Sequence, residues 1–271
     1  MKQIVLQQAI RLLAYRRMFL TNLTPVDQVR TLIRQLHPLT PPTPFIRLGP
    51  AGDGGYLLPD DLEGITTCFS PGVGGIADFE HDCARRGMTV FMADASVDGP
   101  PSYHPAFRFC KRFIGALTDE QYITLDDWVQ QSLPADSTDD LLLQMDIEGS
   151  EYEVLLATST DLLRRFRIIV IEFHYLDQLW NKFFFRVAGR AIAKLLQTHA
   201  CVHIHPNNQR GAMTLSDITI PRTMEFTFLR RDRLTGEHYR RDFPHPLDHT
   251  NTARDGLSLP KCWYGGIRDR K

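Results

Sequence analysis

An α/β fold with a largely parallel sheet, covered by helices on both faces, is what the sequence predicts, on three observations. Short runs that are apolar throughout recur along the chain, helical patterns separate them, and glycines or acids stand where several runs end. A strand that is apolar on both sides needs cover on both sides, and parallel strands need a crossover between them.

Taken in order, the first 37 residues read as helical. Val5, Ile10, Leu13 and Leu20, with Arg16 and Arg17 among them, give an amphipathic helix. Two readings stand for it: packing on the main domain, or weak peripheral contact with an anionic membrane. Gln7, Gln8 and Arg11 interrupt its apolar stretch, which makes a poor secretory signal. Pro38, Pro41, Pro42 and Pro44 then mark a connector, because proline at that density breaks helices. The chain is accordingly divided into an arm with connector, 1–44, and a main domain with a loop-rich tail, 45–271. Strands are expected at Thr66–Ser70, Thr89–Asp94, Leu141–Asp146, Arg167–Phe173, Cys201–His205 and Glu225–Leu229. Helices are expected near 75–87, 150–165 and 183–198.

Composition narrows the function classes. The 31 Lys and Arg balance 32 Asp and Glu, a formal net charge of −1, so there is no electrostatic case for a nucleic-acid partner. The five cysteines are scattered without a CxxC. That argues against a disulfide framework or a zinc site and fits a reducing, cytoplasmic setting. No apolar run has the length of a membrane span.

The segment TTCFSPGVGGIADFE is the first that carries chemistry. A strand ends at Phe69 and Ser70, and Gly72, Gly74 and Gly75 form a turn in which no Cβ blocks a ligand's approach to the backbone. The next strand ends in Asp94, 19 residues after Gly75, where an acid accepts hydrogen bonds from two ribose hydroxyls. Nicotinamide dehydrogenases share this pattern, so the cofactor stays open at this point.

The segment LLLQMDIEGSEYEVLLA places Asp146 and Glu148 at the end of a second buried strand, with Ser150 able to cap the helix that follows. RIIVIEFHY ends in Glu172 and His174, on one side of the strand by alternation, and CVHIHPNN offers His203 and His205. Ligands of open α/β sheets bind outside the carboxyl ends of the strands. Buried carboxylates are costly unless paired or bound to a cation. The set therefore reads as an acid/base site or a divalent-metal site.

Together these segments resemble the FkbM family of class I S-adenosylmethionine-dependent methyltransferases. MDIEGSEYEVL (145–155) is the most specific match; SPGVGGIADFE (70–80), GDGGYLLPDD (52–61), IEFHY (171–175) and HIHPNN (203–208) are similar to segments of that family. The resemblance spans roughly residues 45–230. It implies a Rossmann-like sheet of seven strands with the last antiparallel, here with an N-terminal helical extension. It implies S-adenosylmethionine and O-methylation of a sugar, a glycan or a secondary metabolite. Asp53, Ser70, Gly72, Gly74, Gly75, Asp94, Ala95 and Asp146 would bind the cofactor, with Ile114–Leu117 beside the adenine. Asp146, Glu172, His174 and His203 would be catalytic. Some related sugar O-methyltransferases hold a divalent metal at the fourth and fifth strand ends, which implies Asp146 and Glu172 as ligands to Mg²⁺ or Mn²⁺; Phe173, where an acid is the family's further ligand, departs from that pattern.

An alcohol needs its proton removed before it attacks the sulfonium methyl. Either a cation on Asp146 and Glu172 lowers the hydroxyl pKa, or His174 or His203 takes the proton. The six arginines from Arg222 to Arg241, with Glu225, Asp232, Glu237 and Asp242, read as a solvated surface or as recognition of an acidic acceptor. Two rivals remain: a nicotinamide-dependent oxidoreductase, and a non-catalytic module on the same fold. The acceptor and the oligomeric state are not legible.

Overall fold

The computed structural model describes residues 21–266, with Ile10 and Tyr15 before them. The N-terminal amphipathic helix expected from Val5, Leu13 and Leu20 lies outside the described residues.

Seven strands form one sheet: β3 (Thr67–Pro71), β4 (Thr89–Ala93), β5 (Phe107–Cys110), β8 (Leu141–Met145), β9 (Phe166–Phe173), β10 (His199–Pro206) and β13 (Met224–Arg230), in the spatial order β10-β13-β9-β8-β3-β4-β5. Those from β5 to β9 pair in parallel, whereas β13 inserts antiparallel between β9 and β10. The order reverses at β3, where the chain runs outward to β4 and β5 before returning to β8. A crevice opens outside the carboxyl ends at such a reversal.

The strands are buried along nearly their whole length because both faces are covered. On one face Phe69, Leu143, Ile171, Phe173, Phe226 and Phe228 join a core that includes Val29, Leu32 and Ile33 of α1 (Val26–Gln35) and Ala191, Ile192 and Leu195 of α6 (Lys182–Leu195). On the other face, Cys68, Val90, Met92, Leu142, Ile168 and Val170 pack with Phe79 and Cys83 of α2 (Asp78–Arg85) and with Leu48 and Leu58. Those two leucines belong to a hairpin of β1 (Phe45–Leu48) and β2 (Tyr56–Pro59); β6 (Phe113–Gly115) pairs with β7 (Tyr122–Thr124) ahead of α3 (Leu125–Ser132), and β11 (Ala212–Leu215) with β12 (Ile218–Pro221). A 3-10 turn, Leu176–Trp180, links β9 to α6.

The expected strands all form, within a residue or two. β5 is the strand that the apolar pattern passed over, because FRFC alternates with arginine at the sheet edge. The helix expected at 150–165 is two: α4 (Glu151–Ala157) and α5 (Thr160–Arg165), broken where the Ser159 hydroxyl caps α5 by accepting from the Leu162 N–H. Residues 231–266 are nearly free of regular structure, and fully buried Trp263 anchors them against Phe226. All five cysteines are free thiols. Among the described residues no helix is long and apolar enough to cross a membrane.

Candidate functional site

Two adjoining cavities, about 130 and 270 Å³, sit at the sheet reversal and share Gly72 and Asp146. The smaller is lined by Asp53, Tyr56, Gly74, Gly75, Glu80 and Gln144; the larger by Asp94, Phe113, Ile114, Tyr122, Ile147 and Glu148. Gly72 explains why they meet. Its φ is +92°, and a Cβ there would stand 1.7 Å from the Asp146 carbonyl oxygen, so only glycine lets β3 and β8 diverge this closely.

Asp94 ties the glycine turn to the end of β4. One carboxylate oxygen accepts from the Val73 N–H at 3.0 Å, and the other from the Ser96 N–H and hydroxyl at 2.7 and 2.6 Å. A carboxylate has about four acceptor positions, and the Ser96 hydroxyl can rotate away, so the side chain keeps capacity for a ligand. Ser70 is placed differently from the expectation. It is fully buried beneath the cavities and touches Glu80 Oε1 at 2.5 Å and Gln144 Oε1 at 2.7 Å. One hydroxyl proton cannot serve both acceptors. Burial raises the Glu80 carboxyl above its ordinary range, and the hydrogen bond from the Ser70 hydroxyl opposes that rise. Ala95 and Leu117 line neither cavity, Leu117 being exposed.

At the end of β8 the chain turns through Glu148 (φ +55°) and Gly149 (φ +115°). Ser150 makes no side-chain cap, and the neighbouring Glu151 instead binds the turn that precedes the helix. Its carboxylate is 0% exposed, and Oε1 accepts from the Ile147 and Gly149 N–H groups and from His174 Nδ1 at 3.0 Å, while Oε2 has no partner. Sequence reasoning missed Glu151 as a site residue, although its fixed place after Asp146-Ile147-Glu148-Gly149-Ser150 was the available signal.

Glu151 aims the ring of His174. Nε2 then faces Asp146 at 3.8 Å, Glu148 at 3.6 Å and Glu172 at 3.6 Å. Burial opposes charge on this ring, but the Glu151 hydrogen bond and the surrounding carboxylates outweigh it and hold the pKa above the ordinary histidine range. Burial pushes the Asp146 carboxyl up to about 7, against the pull of His174. Glu172 is raised well above its usual range, chiefly by burial and then by Asp146 and Glu225, and accepts from the Asn207 amide at 3.1 Å.

The expected metal pair is rearranged. Asp146, Glu148 and His174 present ligand atoms within 4.8 Å of one another, with Glu172 beside them. A histidine that donates Nδ1–H to a carboxylate and offers Nε2 to other acids has the arrangement usual for a metal ligand, so these residues fit a divalent cation.

His203 is not brought to this cluster. Its Nε2 lies 2.9 Å from Asp248 and its Nδ1 accepts from Arg240 at 3.2 Å, so the ring is neutral and both nitrogens are spent. Glu225, read from sequence as part of a solvated segment, is instead buried on β13, opposite Glu172 on one side and His205 on the other. Burial lifts its carboxyl to about 7. Asn251 of the tail donates to both Glu225 and Asp53 at 2.6 and 3.2 Å. The arginines around it are structural: Arg230 pairs with Asp140 and Asp232, Arg233 with Asp61, and Arg240 stacks between Phe45 and Phe243.

Residues 77–200 match the family described as the methyltransferase FkbM domain. The matched span includes Asp94, the DIEG turn, Glu172 and His174, and leaves out the glycine turn and the Asp53 loop. No curated protein matches the chain.

Proposed function

We propose that this chain, whose residues 77–200 match the family described as the methyltransferase FkbM domain, transfers a methyl group from S-adenosylmethionine to a hydroxyl of a sugar, glycan or related metabolite. The observation that carries the reading is the joined pair of cavities at Gly72 and Asp146, with an acid in each half and His174 Nε2 3.8 Å from the Asp146 carboxylate that the two share.

S-Adenosylmethionine supplies an activated methyl when bound. Asp94 would hold the ribose, Ile114 and Tyr122 the adenine, and the glycine turn with Asp53 the methionine part. What the protein must add is position and a place for the acceptor's proton. His174 provides that place. Glu151 fixes its Nδ1–H, leaving Nε2 turned to the crevice, and the carboxylates around it stabilise the imidazolium that forms. Asp146, Glu148 and His174 are also the residues that would hold a Mg²⁺-type cation; it would lower the hydroxyl pKa, and Nε2 would then be its ligand in place of accepting the proton. A nicotinamide reading leaves the acids and histidine at the later strand ends without a task.

Calorimetric titration with S-adenosylhomocysteine, with NADH as control, tests the reading. Micromolar binding of the sulfur nucleoside, lost in Asp94→Ala, and no binding of NADH is the expected result. Binding of NADH alone would overturn it.

A further inference from the structure

A second surface has no part in that chemistry. The outer face of α6 carries Lys182, Arg186 and Arg190 at four-residue spacing, with Phe183 (64% exposed) and Val187 (47% exposed) beside them. Among the described residues none of these cations has an ion pair. Leu23, 60% exposed, stands next to them. It is held there by a bridge to Asn181 and by backbone hydrogen bonds from Thr24 to Trp180 and from Lys182 to Asn22. No Asp or Glu occurs in the segments that carry the patch, residues 21–26 and 178–216. The one acid lining the groove between α1 and α6 is Asp27, facing Arg186 and Arg190 across it.

In a chain of net charge −1, three cations without an ion pair set beside exposed aromatic and aliphatic side chains make an interfacial surface. We infer that the Leu23–Phe183–Val187 face docks on an anionic lipid bilayer, with the apolar side chains entering the headgroup layer and Lys182, Arg186 and Arg190 meeting the lipid charges. A polyanion alone would use the cations but leave the three apolar side chains in water. β9 leads through the turn Leu176–Trp180 into α6, and Phe184 packs on Tyr152, whose hydroxyl donates to the His174 carbonyl. The docked face therefore adjoins the crevice.

Co-sedimentation of the full chain with phosphatidylserine-containing vesicles, against pure phosphatidylcholine vesicles, tests this independently of the methyl-transfer reading. The protein is expected to pellet only with the anionic vesicles and to be released by salt. R186Q/R190Q should weaken partitioning about thirtyfold, from the roughly 1 kcal/mol that each basic residue contributes near such a surface. Phe183→Ser/Val187→Ser should weaken it comparably, with unchanged thermal melting in both variants. Failure of the wild type to pellet with anionic vesicles would overturn the inference. So would heparin retention without vesicle binding, or vesicle binding indifferent to Phe183 and Val187.

Discussion

Glu151 acts through another residue. Its fully buried carboxylate gathers two backbone N–H groups and the His174 ring on a single oxygen. Glu151→Gln keeps the shape and removes the charge. The His174 pKa is then expected to fall, read from the imidazole proton shifts in an NMR titration, while affinity for S-adenosylhomocysteine stays near the wild-type value. An unmoved His174 titration would mean that Asp146 and Glu148 set the charge of the ring without it. At this scale the sequence was informative where alternation decides direction: Glu172 and His174 share a side because they are two apart on a strand. It was uninformative where a neighbour decides. His203 is also two from His205, but Asp248 and Arg240 claim its ring, and both come from a tail with no periodicity to read.

β13 shows why an element can be misjudged while its strand is found. MEFTFLR alternates, so Glu225 and Thr227 turn to one face and Phe226 and Phe228 to the other. The surrounding arginines gave the segment a solvated look, yet the antiparallel insertion between β9 and β10 buries both faces. The consequence is a pH dependence. The Glu225 carboxyl titrates near 7 in the fold, well above its ordinary value near 4.5, so the folded state binds a proton that the unfolded chain releases. Its contribution to stability is complete below about pH 4.5 and is lost as pH rises through about 7. Thermal melts from pH 5 to 8 should therefore fall more steeply for the wild type than for Glu225→Gln. A parallel decline in the two would assign the effect elsewhere, Asp146 first.

For the whole molecule, the hydrophobic pattern was enough to place a parallel sheet with helical cover, because burial of both faces leaves a continuous apolar run that no loop mimics. The tail was not legible, because it packs through single residues spaced by turns. Trp263 is the clearest: wholly buried against Phe226, with its indole N–H donated to the Thr219 carbonyl at 3.0 Å. Trp263→Ala is expected to cost about 3–5 kcal/mol, measured by urea unfolding. A loss below 1 kcal/mol would show that the tail rides on the domain without holding it.

The insertion of β13 also sets an order of assembly. During synthesis β9 emerges about fifty residues before its permanent neighbour, and β10 cannot take its place until β13 has arrived between them. Until then the nascent chain presents the outer edge of FRIIVIEF, an eight-residue apolar strand with unpaired backbone groups of the kind that recruits other chains. The same late strand carries Glu225 beside Glu172, so the edge is sealed and that side of the crevice completed in one event.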